Sequence, residues 1–289
     1  MTVQTRIAAV TGANKGIGLA IVRNLALQYP KSPLKSGPFL IYLTARNSER
    51  GAEALKTLAN DPQLTEAKVL AEQGGDTTIK FHNLDIANSK SIRSFASFLK
   101  NQHPKGIDIV INNAGIALQG YDAEILTQTI DTNYYGTLEA TRAFLPNIRD
   151  GGRLINITSS LGKLTDRYSD EIRKKFRQAA KTNVEAVNRL MEKAKQAARE
   201  GREKETGFPT TAYPISKAGA TAMTMAVARE GSRGVLVNAC CPGYVKTDLT
   251  RGGGVKTPDE GAKTPVMLAL EDIGGRTGDF WHRERVEEW

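Results

Sequence analysis

At 289 residues, with 40% hydrophobic and 25% charged side chains, the chain is long enough to bury one large core and too ordinary in composition for a disordered or fibrous protein. Its formal charge of +9 is spread along the sequence with no nucleic-acid-binding motif beside it, which argues against a nucleic-acid partner and leaves a basic surface suited to an anionic ligand. Met1 to Arg6 lacks the pattern of a secretory leader, no stretch approaches 18 uninterrupted apolar residues, and the two cysteines, Cys240 and Cys241, are neighbours, so a cytoplasmic protein without membrane span or disulfide framework is expected.

Along the chain, apolar runs at 7–10, 39–43, 107–111, 153–157 and 235–239 read as buried strands. Helical patterns lie between them. In 17–29, Ile17, Ala20, Ile21 and Leu25 share a face, and in 89–101 Ile92, Phe95 and Phe98 do the same. This alternation predicts an α/β fold: a doubly wound parallel sheet of about seven strands, in a single domain over 1–289. Ligands of such sheets lie beyond the carboxyl ends of the strands, and Gly12, Arg46, Asp85, Asn112, Ser159 and Pro242 each fall at or just after a strand. The stretch 163–208 breaks the pattern. Rich in Lys, Arg, Glu and Ala, it predicts a helical, largely surface-lying insertion, with Val184, Val187, Leu190, Met191 and Ala194 forming one apolar stripe.

Between the first strand and first helix runs Thr11-Gly12-Ala13-Asn14-Lys15-Gly16-Ile17-Gly18. Its glycines allow a tight turn, close backbone approach to a pyrophosphate and close helix packing, and the helix N-terminus offers free N–H groups to phosphates. The spacing Gly-x-x-x-Gly-x-Gly resembles the short-chain dehydrogenase/reductase family, whose Rossmann-like fold binds a nicotinamide dinucleotide. After the second strand, Ala45 stands where an NAD-binding protein offers an acid to the ribose, while Lys15 and Arg46 supply cations for a 2′-phosphate. NADPH/NADP+ is therefore the cofactor expected. By the same resemblance, Asp85 contacts adenine or caps the following helix, and Asn112-Asn113-Ala114-Gly115 belongs to the cofactor region or to the turn itself.

Tyr213-Pro214-Ile215-Ser216-Lys217 places Tyr213 and Lys217 on one face of a helix, where an ammonium would favour the phenolate and ease proton exchange. The pair follows Asn156-Ile157-Thr158-Ser159 and precedes Cys240-Cys241-Pro242-Gly243-Tyr244-Val245-Lys246-Thr247, the order of the family. The resemblance implies that Ser159, rather than Ser160, polarises a substrate carbonyl, that Tyr213 protonates it, and that Lys217 with Asn133 renews the proton through a water. Asn133 is otherwise an asparagine at a helix kink. Gly12, Asn14, Lys15, Gly16, Ile17, Gly18, Arg46, Asp85, Asn112, Tyr213, Lys217, Pro242, Val245 and Thr247 are the expected cofactor contacts, with Ser159 and Tyr244 in the substrate pocket. His82, His103 and His282 lack ligand spacing, so no metal is expected.

The long gap from Ser159 to Tyr213 resembles the monomeric NADPH-dependent carbonyl reductases of this family, in which added helices cover the face used for tetramer formation. A monomer reducing ketones, aldehydes or quinones is implied. Two alternatives stay open: a ketoreductase dedicated to one secondary metabolite, and a non-catalytic NADP(H) sensor, a class that tends to lose the Tyr and Lys kept here.

Overall fold

The computed structural model describes residues 4–231 and 233–289. Strand β1 (Arg6–Val10) opens the sheet, and its side chains divide by alternation: Ile7 and Ala9 enter one core, Ala8 and Val10 the core on the opposite face. The glycine loop leads into α1 (Gly16–Gln28), followed by β2 (Phe39–Ala45), α2 (Ser48–Ala59), capped by the Asn47 side chain, and the short α3 (Pro62–Ala67). Then come β3 (Thr77–Asn83), α4 (Ser89–Gln102), whose cap is Asn88, and β4 (Ile107–Asn112). Helix α5 (Ala123–Ile130) passes through a π-helical turn (Asp131–Gly136) into α6 (Thr137–Phe144), and β5 (Ile148–Ile157) follows.

The insertion forms α7 (Asp170–Thr182), α8 (Val184–Glu200) and the short α9 (Glu203–Thr206). Ser169 caps α7, Asn183 separates α7 from α8 by capping the latter, and Gly201 ends α8 in the left-handed conformation. The chain closes with α10 (Ala212–Glu230), β6 (Leu236–Cys241), α11 (Pro258–Leu270), β7 (Phe280–His282) and β8 (Arg285–Val286). The sheet runs β3-β2-β1-β4-β5-β6-β7-β8, and every pairing is parallel except that of β8 with β7. Because β1 lies between β2 and β4, crossovers part on either side of it, which puts the glycine loop at the switch point.

Three departures from the sequence reading have physical causes. Strand β3 carries no apolar run, because this edge strand alternates exposed Thr78 and Lys80 with sheltered neighbours and is held by its register on β2. A two-residue antiparallel β8 brings the count to eight strands. The insertion is more than a surface cover: Phe176, Val184, Val187 and Met191 are fully buried and continuous with the core beneath α10 and α5, each such side chain contributing about 1.5–3 kcal/mol by its burial. Among the described residues no helix is long and apolar enough to cross a membrane.

Candidate active site

Gly12 and Gly16 both take positive φ, +61° and +56°, so the turn after β1 requires residues free of a Cβ clash. A side chain at Gly12 would lie 2.9 Å from Ala114, and one at Gly18 would lie 2.5 Å from the Gly12 carbonyl. The loop is bolted to the end of β4: the Thr11 hydroxyl accepts the amides of Asn113 and Ala114 at 2.9 and 3.0 Å, and Asn113 Nδ2 donates to the Thr11 and Gly12 carbonyls. No side chain caps α1 and no acidic residue occupies its first turn, so its leading amides face outward uncompensated. Asn14 and Ile17 are half-buried beside them. Lys15 and Arg46 are exposed at this mouth, Lys15 paired with Asp248 from the segment after β6.

Tyr213 and Lys217 project from the start of α10. Lys217 is 5% exposed, donates from Nζ to the Ile157 carbonyl at 2.9 Å, and lies 5.6 Å from the centre of the Tyr213 ring. Burial pulls its pKa down to about 8, with the sulfurs of Cys241 and Cys240 acting in the opposite sense. Tyr213 is pushed up, by burial first and Cys241 second, while the Ser159 hydroxyl draws it the other way. The Lys217 ammonium lies over the Tyr213 ring and is held there by the Ile157 carbonyl. The phenol stays protonated at neutral pH, which is the form that donates a proton.

Ser159, directly beyond β5, caps the turn Ser160–Gly162 by accepting the Leu161 amide at 3.1 Å, and it is Ser159 rather than Ser160 that faces Tyr213. Asn133 lies in the π-helical turn and is fully buried. Its side chain is spent on structure: Oδ1 accepts the Ile116 amide at 2.8 Å, while Nδ2 donates to the Ile116 carbonyl and to Ser216 Oγ. Any contact of Asn133 with a water beside Lys217 falls to its backbone. Gly115 completes this corner, since a Cβ there would stand 3.0 Å from Asn133 Oδ1 and 3.6 Å from Lys217 Nζ.

The segment after β6 closes the mouth. Pro242 and Val245 are buried, and the Val245 side chain packs on Gly261 of α11 beside Ile17. Thr247 stands against Gly16, and its backbone amide donates to Thr250 Oγ1 at 3.0 Å. The Tyr244 ring is 55% exposed above Gly253.

The side chains of two expected residues also bond neighbours within the fold. Asn112 directs its amide into the core, bonding Asn156 Oδ1 at 2.9 Å and Thr141, and only its backbone remains near the mouth. Asp85 turns its carboxylate onto the Ala87 amide, while Asn88 caps α4. His82 packs on Phe95 and Phe98, His103 bonds Tyr42, and His282 pairs with Glu287. Thr11 and Gly115 escaped the sequence reading, although both sit within motifs it used, because their roles depend on what the fold lays against them.

A sequence profile described as short chain dehydrogenase matches residues 6–171 and 172–254. The chain belongs to the short-chain dehydrogenase family. Within it, the chain is 37% identical to the NADPH carbonyl reductase 1 of Rattus norvegicus over 298 residues, covering 98% of each. Among solved structures, salutaridine reductase from Papaver somniferum superposes with a TM-score of 0.81 at 26% identity, over 96% of this chain and 99% of that one. Menthone neomenthol reductase from Mentha piperita does so with 0.76 at 26% identity, over 98% and 100%. This short-chain dehydrogenase is accordingly a carbonyl-reductase-like oxidoreductase of the family.

Proposed function

We propose that the chain reduces the carbonyl group of small ketones, aldehydes or quinones to an alcohol with NADPH, acting as one catalytic unit over its whole length. The observation that carries this reading is the corner itself, where protonated Tyr213, Ser159 and the buried Lys217 meet beside a glycine loop built for a pyrophosphate. The mouth fits NADPH: α1 presents uncapped amides, Gly12 and Gly16 leave room at the backbone, and Lys15 and Arg46 are cations where no acid stands. Asn14, Ile17, Asp85, Pro242, the Val245 backbone and Thr247 would line the rest of the cofactor site, with the Thr247 hydroxyl suited to an amide carbonyl. Bound there, NADPH would supply the hydride.

Ser159 Oγ–H is placed to hold the substrate oxygen and to stabilise charge growing on it. Tyr213 donates the proton to that oxygen. Lys217, positioned by the Ile157 carbonyl, returns a proton toward Tyr213, and the Asn133 backbone supports the water that refills it. Tyr244, exposed beside the site, shapes the entrance for the substrate.

The match to a carbonyl reductase at 37% identity supports a broad carbonyl range, while the overlap with salutaridine and menthone neomenthol reductases favours a second reading, a reductase dedicated to one ketone. The insertion on α10 and α5 supports a monomer, and two buried free cysteines fit the cytoplasm. NADPH oxidation measured against a panel of aldehydes, ketones and quinones tests the reading. Turnover of several classes by wild type, lost by about 10³-fold in Tyr213→Phe, is expected for a general acid. Turnover of one ketone alone selects the dedicated reductase, and tight NADPH binding without any turnover selects the sensor.

A further inference from the structure

The π-helical turn that carries Asn133 is an uncommon conformation, in which one extra residue is accommodated within a helix, and it needs outside support to persist. That support comes from the insertion. Along α8, Asn188, Glu192 and Lys195 stand at spacings of four and three on one face, and each reaches the turn. Tyr134 donates its hydroxyl to Asn188 Oδ1 and Tyr135 donates to Glu192 Oε1, both at 2.7 Å. Lys195 is only 8% exposed, bonds Asp131 Oδ1 at 2.9 Å and Glu192 Oε1 at 3.2 Å, and lies 5.2 Å from the centre of the Tyr135 ring.

The same contact is seated on the catalytic helix. Gly219, two residues beyond Lys217, leaves the space that Met191 of α8 and the Tyr134 ring occupy: a Cβ there would lie 2.4 Å from Met191 Sδ and 3.0 Å from the Tyr134 ring. On the inner side of the turn, Asn133 holds Ile116 and Ser216. Were the turn to relax to an ordinary α-helix, each residue past the relaxed position would rotate by about 100°, and Asn133 would leave its place between Ile116 and Ser216.

We propose that α8 is a positioning element of the reaction: Asn188, Glu192 and Lys195 lock the π-helical turn in the register that keeps Asn133 on Ile116 and Ser216, beside Lys217. These are positioning residues, acting through Asn133, and their kinetic effect rests on the reductase reading above. Beyond shielding a surface, the insertion thereby belongs to the catalytic corner.

Steady-state kinetics and hydrogen exchange of Lys195→Met, Lys195→Arg, Asn133→Ala and the double variant Lys195→Met with Asn133→Ala test this. Lys195→Met is expected to lower kcat about tenfold with both KM values nearly unchanged, and Lys195→Arg to restore most of it, since the coupling of residues in one network is of that size. The losses in the double variant should be less than additive, because Lys195 and the Asn133 side chain hold the same stretch of backbone in register. Additive losses, or a Lys195→Met enzyme whose melting temperature falls while kcat stays at the wild-type value, overturn the proposal. Exchange of the amides of 131–137 reads the brace without turnover. Faster exchange in Lys195→Met supports it even if wild type reduces no carbonyl, a result that would sink the reductase reading alone, whereas unchanged protection overturns it.

Discussion

At the mouth of the glycine loop, Lys15, Arg46 and Asp248 are exposed to water, with one surface ion pair joining Lys15 to Asp248. On the inner side of the same crevice, Lys217 is enclosed, Asn133 is fully buried, and every polar atom of the Asn133 side chain is engaged. The first region can attract and sort an anion but fixes no geometry. The second surrenders the solvation of an ammonium and holds its groups by hydrogen bonds of 2.8 to 3.1 Å. Selectivity for a phosphate tolerates loose charges, because Coulomb attraction is long in range, while proton transfer needs donor and acceptor within hydrogen-bond reach.

Substitutions sharpen that contrast. Lys217→Met strikes the rigid side and is expected to lower kcat by about 10²–10⁴-fold, measured under saturating NADPH. In wild type, reduction should fall as pH rises through about 8, where the buried ammonium gives up its proton. Lys217→Arg should carry that fall to higher pH, since a guanidinium keeps its charge. The stability consequence has the opposite sign. The folded-state pKa lies below the unfolded value, so the unfolded chain binds more protons between pH 8 and 10.5, and the cost of burying the charge, full below 8, disappears across that window. Denaturant titrations should therefore show wild type gaining on Lys217→Met as pH rises through it, and a constant gap would break the assignment of a depressed lysine.

Gly18→Ala lies between the two regions, its Cβ forced to 2.5 Å from the Gly12 carbonyl and 2.6 Å from Asn113 Nδ2. NADPH affinity should fall by about tenfold or more in a fluorescence titration, the scale of an overpacked contact. On the loose side, Arg46→Ala should weaken NADPH by about fivefold while leaving NADH unchanged, as expected for one exposed charge-assisted contact. Equal loss for both cofactors would remove the 2′-phosphate argument. The smallest effect belongs to Asp248→Asn, which frees Lys15 and should tighten NADPH by about twofold, since exposed pairs hold their partners weakly.

The sequence is most legible where a residue type answers a local demand. The positive φ of Gly12 and Gly16 and the close approach at Gly18 are written in the glycines themselves. Tyr213 and Lys217 share a face because helical spacing requires it, and the buried strands β1, β4 and β5 declare themselves as apolar runs. Edge strand β3 was silent, since half its side chains face solvent and its place is set by β2. Asn112 and Asn113 are adjacent and identical, yet alternation sends one amide into the core and the other onto the glycine loop.

By itself, then, the sequence determined the doubly wound sheet, the glycine loop and the order of the Ser, Tyr and Lys along the chain, because backbone conformation and side-chain periodicity are local properties. Tertiary structure alone decided that the Lys217 ammonium rests on the Ile157 carbonyl, that Asp248 pairs with a lysine 233 positions away, and that α8 grips the turn bearing Asn133. Those partners lie on different elements, and no periodicity within one element specifies which side chain another will lay against it.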